Sequence, residues 1–463
     1  MFKTFANAWK LPDLRKKILF TLMIILLYRI GCVLPIPFIA SDAIKEWFEI
    51  QNGTLFQYFD VLSAGAFSRA TLFALSVSPY ITSSIVIQLL TIAIPALEKM
   101  SKDGEEGKKK LTRITRYTTI GIALLTSFGY YMTLKNQMGA IETVTWLPAG
   151  VRTWFPAVVI IACHCAGAAL IMWLAEKIND QGIGNGISMI LFANIISSLP
   201  TMASSFFSHS GLASFKIEFN PFKVTGFDFK TISLTILVYA ILIAIAVAIV
   251  GFVVFMTESE RRLPVQYAKR VVGRKMYGGQ STFLPIKLNM SGVMPIIFAS
   301  SILMIPATVS MFFNVPTDPK NIWYQILSLF QQTHPFYVFL ELVLIIAFSY
   351  FYLAISFNPV EVANNLKKNG GVIPGHRPGK PTADFINSSL KKITLIGAFF
   401  LALIAVLPMI INIISSMIAG TTDLLGSVSL GGTSLLIVVG VALETVRDLE
   451  SQITMRHYKG FLG

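Results

Sequence analysis

A chain of 463 residues that is 54% hydrophobic and only 13% charged, with a mean hydropathy of +0.66, lies outside the composition range of soluble globular proteins. Apolar runs of about 20 residues, the length of helix that spans roughly 30 Å of hydrocarbon, recur throughout it and define an all-α polytopic membrane protein. The formal net charge of +14 needs no nucleic-acid partner, because the Lys and Arg residues collect between particular apolar runs.

The first run, "ILFTLMIILLYRIGCVLPIP", follows Arg15, Lys16 and Lys17; its apolar core is long and no small-x-small site closes it, so it reads as an uncleaved first span. Ten spans are predicted in all, near 18–37, 72–94, 115–134, 155–174, 184–203, 232–256, 288–312, 335–357, 393–417 and 430–446. An even number puts both termini on one side. Basic residues identify that side as cytoplasmic. They gather at the N-terminus, between spans two and three (Lys99 to Arg116), between six and seven (Arg261 to Lys275) and between eight and nine (Lys367 to Lys392). The opposite loops, such as "SDAIKEWFEI" and "GTTDLLGS", carry little positive charge. Division near residue 220 leaves five spans in each part, 1–220 and 221–463, and five is odd, so the second half starts from the opposite side. That is the arithmetic of an inverted repeat.

Chemistry is sparse along the chain. Cys32, Cys163 and Cys165 are an odd set within apolar segments, which argues against a disulfide framework. "CHC" at 163–165 does not read as a metal site, since i, i+2 positions on a helix point apart. "QGIGNGIS" at 181–188 lacks the spacing and the preceding strand of a dinucleotide loop, so its glycines are expected to make a tight turn that opens the fifth helix. There is no His-Glu-x-x-His and no Gly-x-Ser-x-Gly; the chain reads as no enzyme and as needing no cofactor. Ion-coupled solute pumps place charge inside their spans, at a cost of roughly 2.5–3.5 kcal/mol each. Here Arg29, Glu341 and Glu444 are the exceptions, each expected near a helix end with its charge reaching the interface.

In "SPYITSSIVIQLL", residues 78–90, Ile81 and Ile85 share a helix face while Thr82 and Ser83 occupy others. A narrow apolar stripe on a partly polar helix suits ordinary packing, and it also suits a hydrophobic constriction that excludes water and ions by dewetting.

Six long segments in order resemble the SecY family, the channel subunits of the bacterial Sec translocase. They are "GAFSRATLFALSVSPYITSSIVIQLLT", "ALEKMSKDGEEGKKKLTRITRY", "INDQGIGNGISMILFANII", "ERRLPVQYAKRVVGRKMYGGQSTFLPIKLNMSGVMPIIFASSIL", "FNPVEVANNLKKNGGVIPGHRPGKPTADFI" and "LGGTSLLIVVGVALETVRDLESQI". The resemblance implies ten spans in two inverted five-helix halves hinged between spans five and six, and a passive protein-conducting pore that also releases signal sequences and membrane segments into lipid. It implies a pore ring of Ile81, Ile85, Ile187, Leu191, Ile297 and Ile437. A re-entrant plug helix is expected at 59–71, with Phe59, Leu62, Ala64, Gly65, Phe67 and Arg69. Spans two and seven are implied to form a lateral gate, with Thr82, Gln88, Thr126 and Asn289 as its polar contacts. The cytoplasmic loops near 257–287 and 358–392 are implied to dock the SecA ATPase or the ribosome through Arg261, Arg262, Lys269, Arg270, Arg377 and Phe385. Implied partners are SecE-like and SecG-like membrane subunits, signal-bearing preproteins and lipid, in a bacterial inner membrane. The competing reading is an inverted-repeat small-solute transporter or lipid flippase, which predicts a charged or broken-helix ligand site at the membrane midplane.

Overall fold

Each of the ten predicted spans overlaps a helix in the computed structural model, which describes residues 2–41, 43–44, 47, 60, 63–136, 138–141, 148, 151–152, 154–209, 244, 247–267, 270–272, 275–277, 281–312, 320–331, 334–419 and 431–459. The helices before residue 210 are α1 (Phe2–Lys10), α2 (Pro12–Gly31), α3 (Ser78–Ala93), α4 (Pro95–Lys102), α5 (Gly104–Asn136), α6 (Phe155–Gln181) and α7 (Gly186–His209). A shorter apolar helix, α8, runs Val247–Glu258. Then come β1 (Glu260–Tyr267), β2 (Arg270–Val272), β3 (Lys275–Tyr277), β4 (Ser281–Lys287), α9 (Met294–Leu303), α10 (Ile305–Ser310), α11 (Ile322–Leu329), α12 (Pro335–Ser356), α13 (Pro359–Lys368), β5 (Gly371–Val372), α14 (Lys380–Ala419) and α15 (Gly431–Lys459). Among the described residues three helices are by themselves long and apolar enough to cross a membrane, Phe155–Gln181, Pro335–Lys368 and Lys380–Leu407, and α3 with α4 makes a fourth, bent by 102°. The division expected near residue 220 lies outside the described residues.

Two units are present. The first comprises Met1–Thr225, Ser300–Val338 and Pro408–Gly463; the second comprises Gly226–Ala299 and Phe339–Leu407. In the first, Ile36, Phe67, Tyr130, Leu134, Ile160 and Met304 belong to one buried cluster. Local chemistry sets where its helices begin. Ser76 has a left-handed backbone, φ 51°, which no α-helix continues through, so the span expected from residue 72 is helical only from Ser78 and residues 72–77 are turns. The break between α3 and α4 falls at Ile94, whose backbone is extended, as the following Pro95 ring requires. The basic loop expected between spans two and three is itself largely helical, because α5 starts at Gly104, whose φ of 72° makes the turn from α4.

The glycines of "QGIGNGIS" do open the fifth span. Gly184 sits at φ 75°, and a Cβ on Gly186 would lie 2.0 Å from the Ala175 carbonyl oxygen. Side chains from α2, α15 and the preceding α6 fix this turn: Thr21 Oγ1 accepts from Ile183 N at 3.1 Å, Asp448 Oδ2 from Gly184 N at 3.0 Å and Asn179 Oδ1 from Gly186 N at 2.7 Å.

The second unit holds the departure from an all-helical fold. β1 pairs antiparallel with β4, with Leu263 opposite Leu284 and Val265 opposite Thr282, and β5 adds to the other edge of β1 through Gln266 and Val372. The period-two alternation of "ERRLPVQY", with Leu263 and Val265 buried and Arg262, Pro264 and Gln266 exposed, is the signature of a half-buried strand. Its apolar face joins Ile286, Ile373, Ile386 and Leu390 in one core.

Of the three charged residues within predicted spans, Arg29 is half-buried in the last turn of α2 and Glu444 is exposed. Glu341 corrects the expectation. It lies beyond the first turn of α12 and is buried, with neither carboxylate oxygen hydrogen-bonded among the described residues. Long Lys and Arg stems reach an interface from there, whereas the short Glu stem does not.

Replacement of Gly186 by Val forces its Cβ against the Ala175 carbonyl and is expected to cost more than about 2 kcal/mol, lowering the melting temperature of the purified protein by several degrees. Gly121→Ala, where nothing lies within 4 Å of the new Cβ, is expected to leave it unchanged or slightly higher.

Candidate functional site: an apolar constriction with a turn-built plug

Helix α3 carries the residues on which the site is built. Ile81 and Ile85, one turn apart, are both buried. Between them Ser83 is fully buried: its Oγ donates to the Thr115 carbonyl oxygen at 3.0 Å and also bonds the Thr118 hydroxyl, which fixes this face of α3 against α5. Helix α7 starts at Gly186, and its second residue is Ile187, half-buried, followed one turn on by Leu191, which is buried. Ile81 and Leu191 line one small cavity together with Ala74, Ser76, Ser301 and Met304. Ile437 is buried on α15, a helix that meets α7 where Thr445 Oγ1 donates to Met189 Sδ at 3.5 Å. Ile297 belongs to the second unit, where it is buried on α9.

A polar node missed by the sequence reading stands beside this cavity. Asn194 Nδ2 donates to Tyr28 Oη at 2.9 Å and lies 3.4 Å from Ser76 Oγ. It ties α2, the turns before α3, and α7 together. An Asn inside the apolar run "ISMILFANII" was the available signal, since amides within spans usually bond between helices.

The four expected gate residues are partly buried, and each bonds locally. Thr82 Oγ1 donates to the Ser78 carbonyl at 3.0 Å, Gln88 Nε2 to Ser84 Oγ at 3.2 Å and Thr126 Oγ1 to the Ile122 carbonyl at 2.9 Å. In the second unit Asn289 Nδ2 donates to the Gly292 carbonyl at 3.1 Å.

Phe59 and Leu62 lie outside the described residues. The rest of the plug segment is helical at Asp60 and Ser63 and then continues as successive turns. Ala64 and Gly65 have left-handed backbones, φ 56° and 77°, which end any helix there. Phe67 is fully buried and Arg69 is exposed. The turns are closed by Ser63 Oγ, which accepts from Phe67 N at 2.9 Å, and by Asp60 Oδ1, which accepts from Ser68 N at 2.7 Å.

On the second unit Arg261 and Arg262 are exposed on β1, and Arg262 Nε bonds Glu260 Oε1 at 2.8 Å. Arg270 lies in β2, and Lys269 is outside the described residues. Arg377 is exposed on a turn between Gly375 and Gly379, both at positive φ, and its carbonyl accepts from Thr382 Oγ1 at 2.7 Å. Phe385 stacks on His376 with ring centroids 4.0 Å apart. Because β5 pairs with β1, the two basic loops form a single folded body.

The SecY family model matches residues 71–446. The chain is 40% identical to the protein translocase subunit SecY of Streptomyces galbus over 471 residues, with all of both chains covered. A solved protein-conducting channel matches with a TM-score of 0.60 at 16% identity, over 94% of this chain and 92% of that one. Sec61 from the canine ribosome–channel complex of the endoplasmic reticulum matches with a TM-score of 0.55 at 14% identity, over 94% and 92%.

Ser83→Val removes the bonds to Thr115 and Thr118 and is expected to destabilise the protein by about 1 kcal/mol in thermal denaturation. Thr82→Val, which forfeits only a bond within its own helix, is expected to cost less than about 0.5 kcal/mol.

Proposed function

This chain belongs to the SecY family, and we propose how its residues serve the protein-conducting channel that the family builds. The chain is a membrane-embedded channel subunit of a protein translocase, a transport role. Its constriction is formed in the first unit by Ile81, Ile85, Ile187, Leu191 and Ile437, with Ile297 of the second unit retaining the pore role that the resemblance gives it. The observation that carries this reading is the cavity shared by Ile81 and Leu191, apolar residues far apart in sequence. An apolar constriction blocks ions by dewetting and yields to an extended polypeptide without binding it tightly.

Thr82, Gln88 and Thr126 act at the lateral gate. Thr82 and Thr126 meet their bonds within their own helices, so separating the helices strands neither hydroxyl, and Gln88 bonds Ser84 one turn back. Asn289 has the same local pattern and the same assignment. The two halves, 1–220 and 221–463, act as the inverted repeats that part around the pore. The segment 59–71 is the plug.

The sheet of the second unit with the Arg377 turn is the cytoplasmic docking body. Exposed guanidinium groups pair bidentately with phosphate or carboxylate, which suits ribosomal RNA, as the canine ribosome–channel relative suggests, or the acidic surface of a SecA-type motor. SecE-like and SecG-like subunits complete the complex, and the free energy of transport comes from the motor or the ribosome. The membrane is the bacterial cytoplasmic one with both termini inside, supported by the basic loops.

Replacing Ile81 and Ile437 together by Asn wets the constriction and is expected to make the resting channel conduct ions in planar bilayers, at least tenfold above wild type on the order of one hydrophobic contact's worth of barrier. Conductance equal to wild type removes these residues from the ring.

A further inference from the structure

Backbone that traverses the interior without helical bonding has to find partners for its polar groups elsewhere. At the centre of the plug turns, the Phe67 carbonyl oxygen accepts a hydrogen bond of 2.6 Å from the hydroxyl of Tyr130 on α5, and both residues are fully buried. The two rings also pack, with centroids 4.6 Å apart. Behind Tyr130, edge-on at 5.1 Å, stands buried His164, oriented by the contact of its Nδ1 with the Ile160 carbonyl at 2.9 Å.

The turn being held is not at rest by its own preferences. Ala64 and Ala70 both have left-handed backbones, φ 56° and 45°, a conformation unfavourable for any residue with a Cβ. Bonds within the turns, among them Ala70 N–H to the same Phe67 carbonyl at 3.1 Å, and contacts from outside maintain this shape together, and Tyr130 supplies a directional outside contact. Its helix also grips the end of the seventh span. Thr133 Oγ1 lies 3.3 Å from the Met311 carbonyl oxygen, and a Cβ on Gly129 would come within 3.0 Å of the Phe312 ring. Met304, Ala307 and Met311 of that span lie in the same buried cluster as Phe67 and Tyr130.

We propose that Tyr130 is a positioning residue that latches the plug: its hydroxyl holds the Phe67 carbonyl in the resting channel, and the same turn of α5 ties that latch to the end of the seventh span. The proposal rests on the channel reading above. Movement at Met311 and Phe312 disturbs Gly129 and Thr133, loosens Tyr130, and releases a turn whose strained residues favour another backbone. The strength of the latch then sets how strong a signal sequence must be to open the channel.

The test is Tyr130→Phe, which deletes one oxygen and keeps the ring, in the complete reconstituted translocase. Three readouts are compared with wild type: melting temperature, resting ion conductance, and passage of a preprotein with a weakened signal sequence. The expected result is a melting temperature lowered by no more than Ser83→Val lowers it, a roughly five- to tenfold rise in resting conductance, the factor for one buried hydrogen bond, and passage of the weakened preprotein. Unchanged conductance together with continued rejection of the weakened preprotein overturns the latch while normal preprotein transport by the wild type leaves the channel reading standing. Failure of the wild-type complex to pass a normal preprotein overturns that reading and the latch with it.

Discussion

Residues 64–77 run through the interior of the first unit almost wholly as turns, and each buried N–H and carbonyl there has to be met by a specific group, because neither lipid nor a helix ladder supplies one. Ser63, Asp60 and Tyr130 meet those around Phe67, the Leu34 carbonyl accepts from Leu72 N, and Thr71 pairs with Pro35. These bonds decide where α3 can start. The start of α3 in turn sets the positions of Ile81, Ser83 and Ile85, and hence which residues face the cavity and which lock onto α5. A change in these turns is thus transmitted to Ile81 and Ile85 through the chain that leads into α3.

The remaining polar chemistry of the first unit follows one pattern. Most Ser and Thr hydroxyls bond the carbonyl one turn back in their own helix, as Thr82, Thr126 and Ser127 do. A smaller number reach across: Ser83 to α5, Asn194 to Tyr28 and Thr21 to the glycine turn. The first group lets helices slide or part at little cost. The second group marks joints that stay closed. A channel that opens sideways requires both kinds, and their distribution along α3 is consistent with a helix that is fixed on one face and free on another.

The spans were legible because desolvation leaves an unambiguous mark: about 20 apolar residues with basic residues at alternate ends. The glycine turn at 181–186 was legible for a similar reason, since few alternatives exist for three closely spaced glycines before an apolar run. The plug's shape was not, because left-handed Ala64 and Ala70 leave no trace in residue type. Nor was the sheet of the second unit read, although "ERRLPVQY" alternates visibly; its charges drew a topological explanation that hid the strand. Glu341 was misplaced although the start of its span at residue 335 was read correctly, because a carboxylate inside the second turn was credited with a reach that only the longer Lys and Arg stems have. Of the candidate site, Ile81, Ile85, Leu191 and Ile437 are all buried as pore or core residues would be, while Tyr130, Ser83 and Asn194 become visible only once the helices are packed.

On this reading a polypeptide passes between Ile81 and Ile85 of α3 and Ile187 and Leu191 of α7. The direct measurement places a photo-reactive residue at position 81 or 187, stalls a secretory preprotein midway with the translocation partners present, and illuminates. The account predicts an adduct that depends on the signal sequence and is absent from lipid-facing controls such as position 124, where Leu124 is exposed. Absence of an adduct at both positions, with partners bound and active, would contradict it and return these isoleucines to ordinary core.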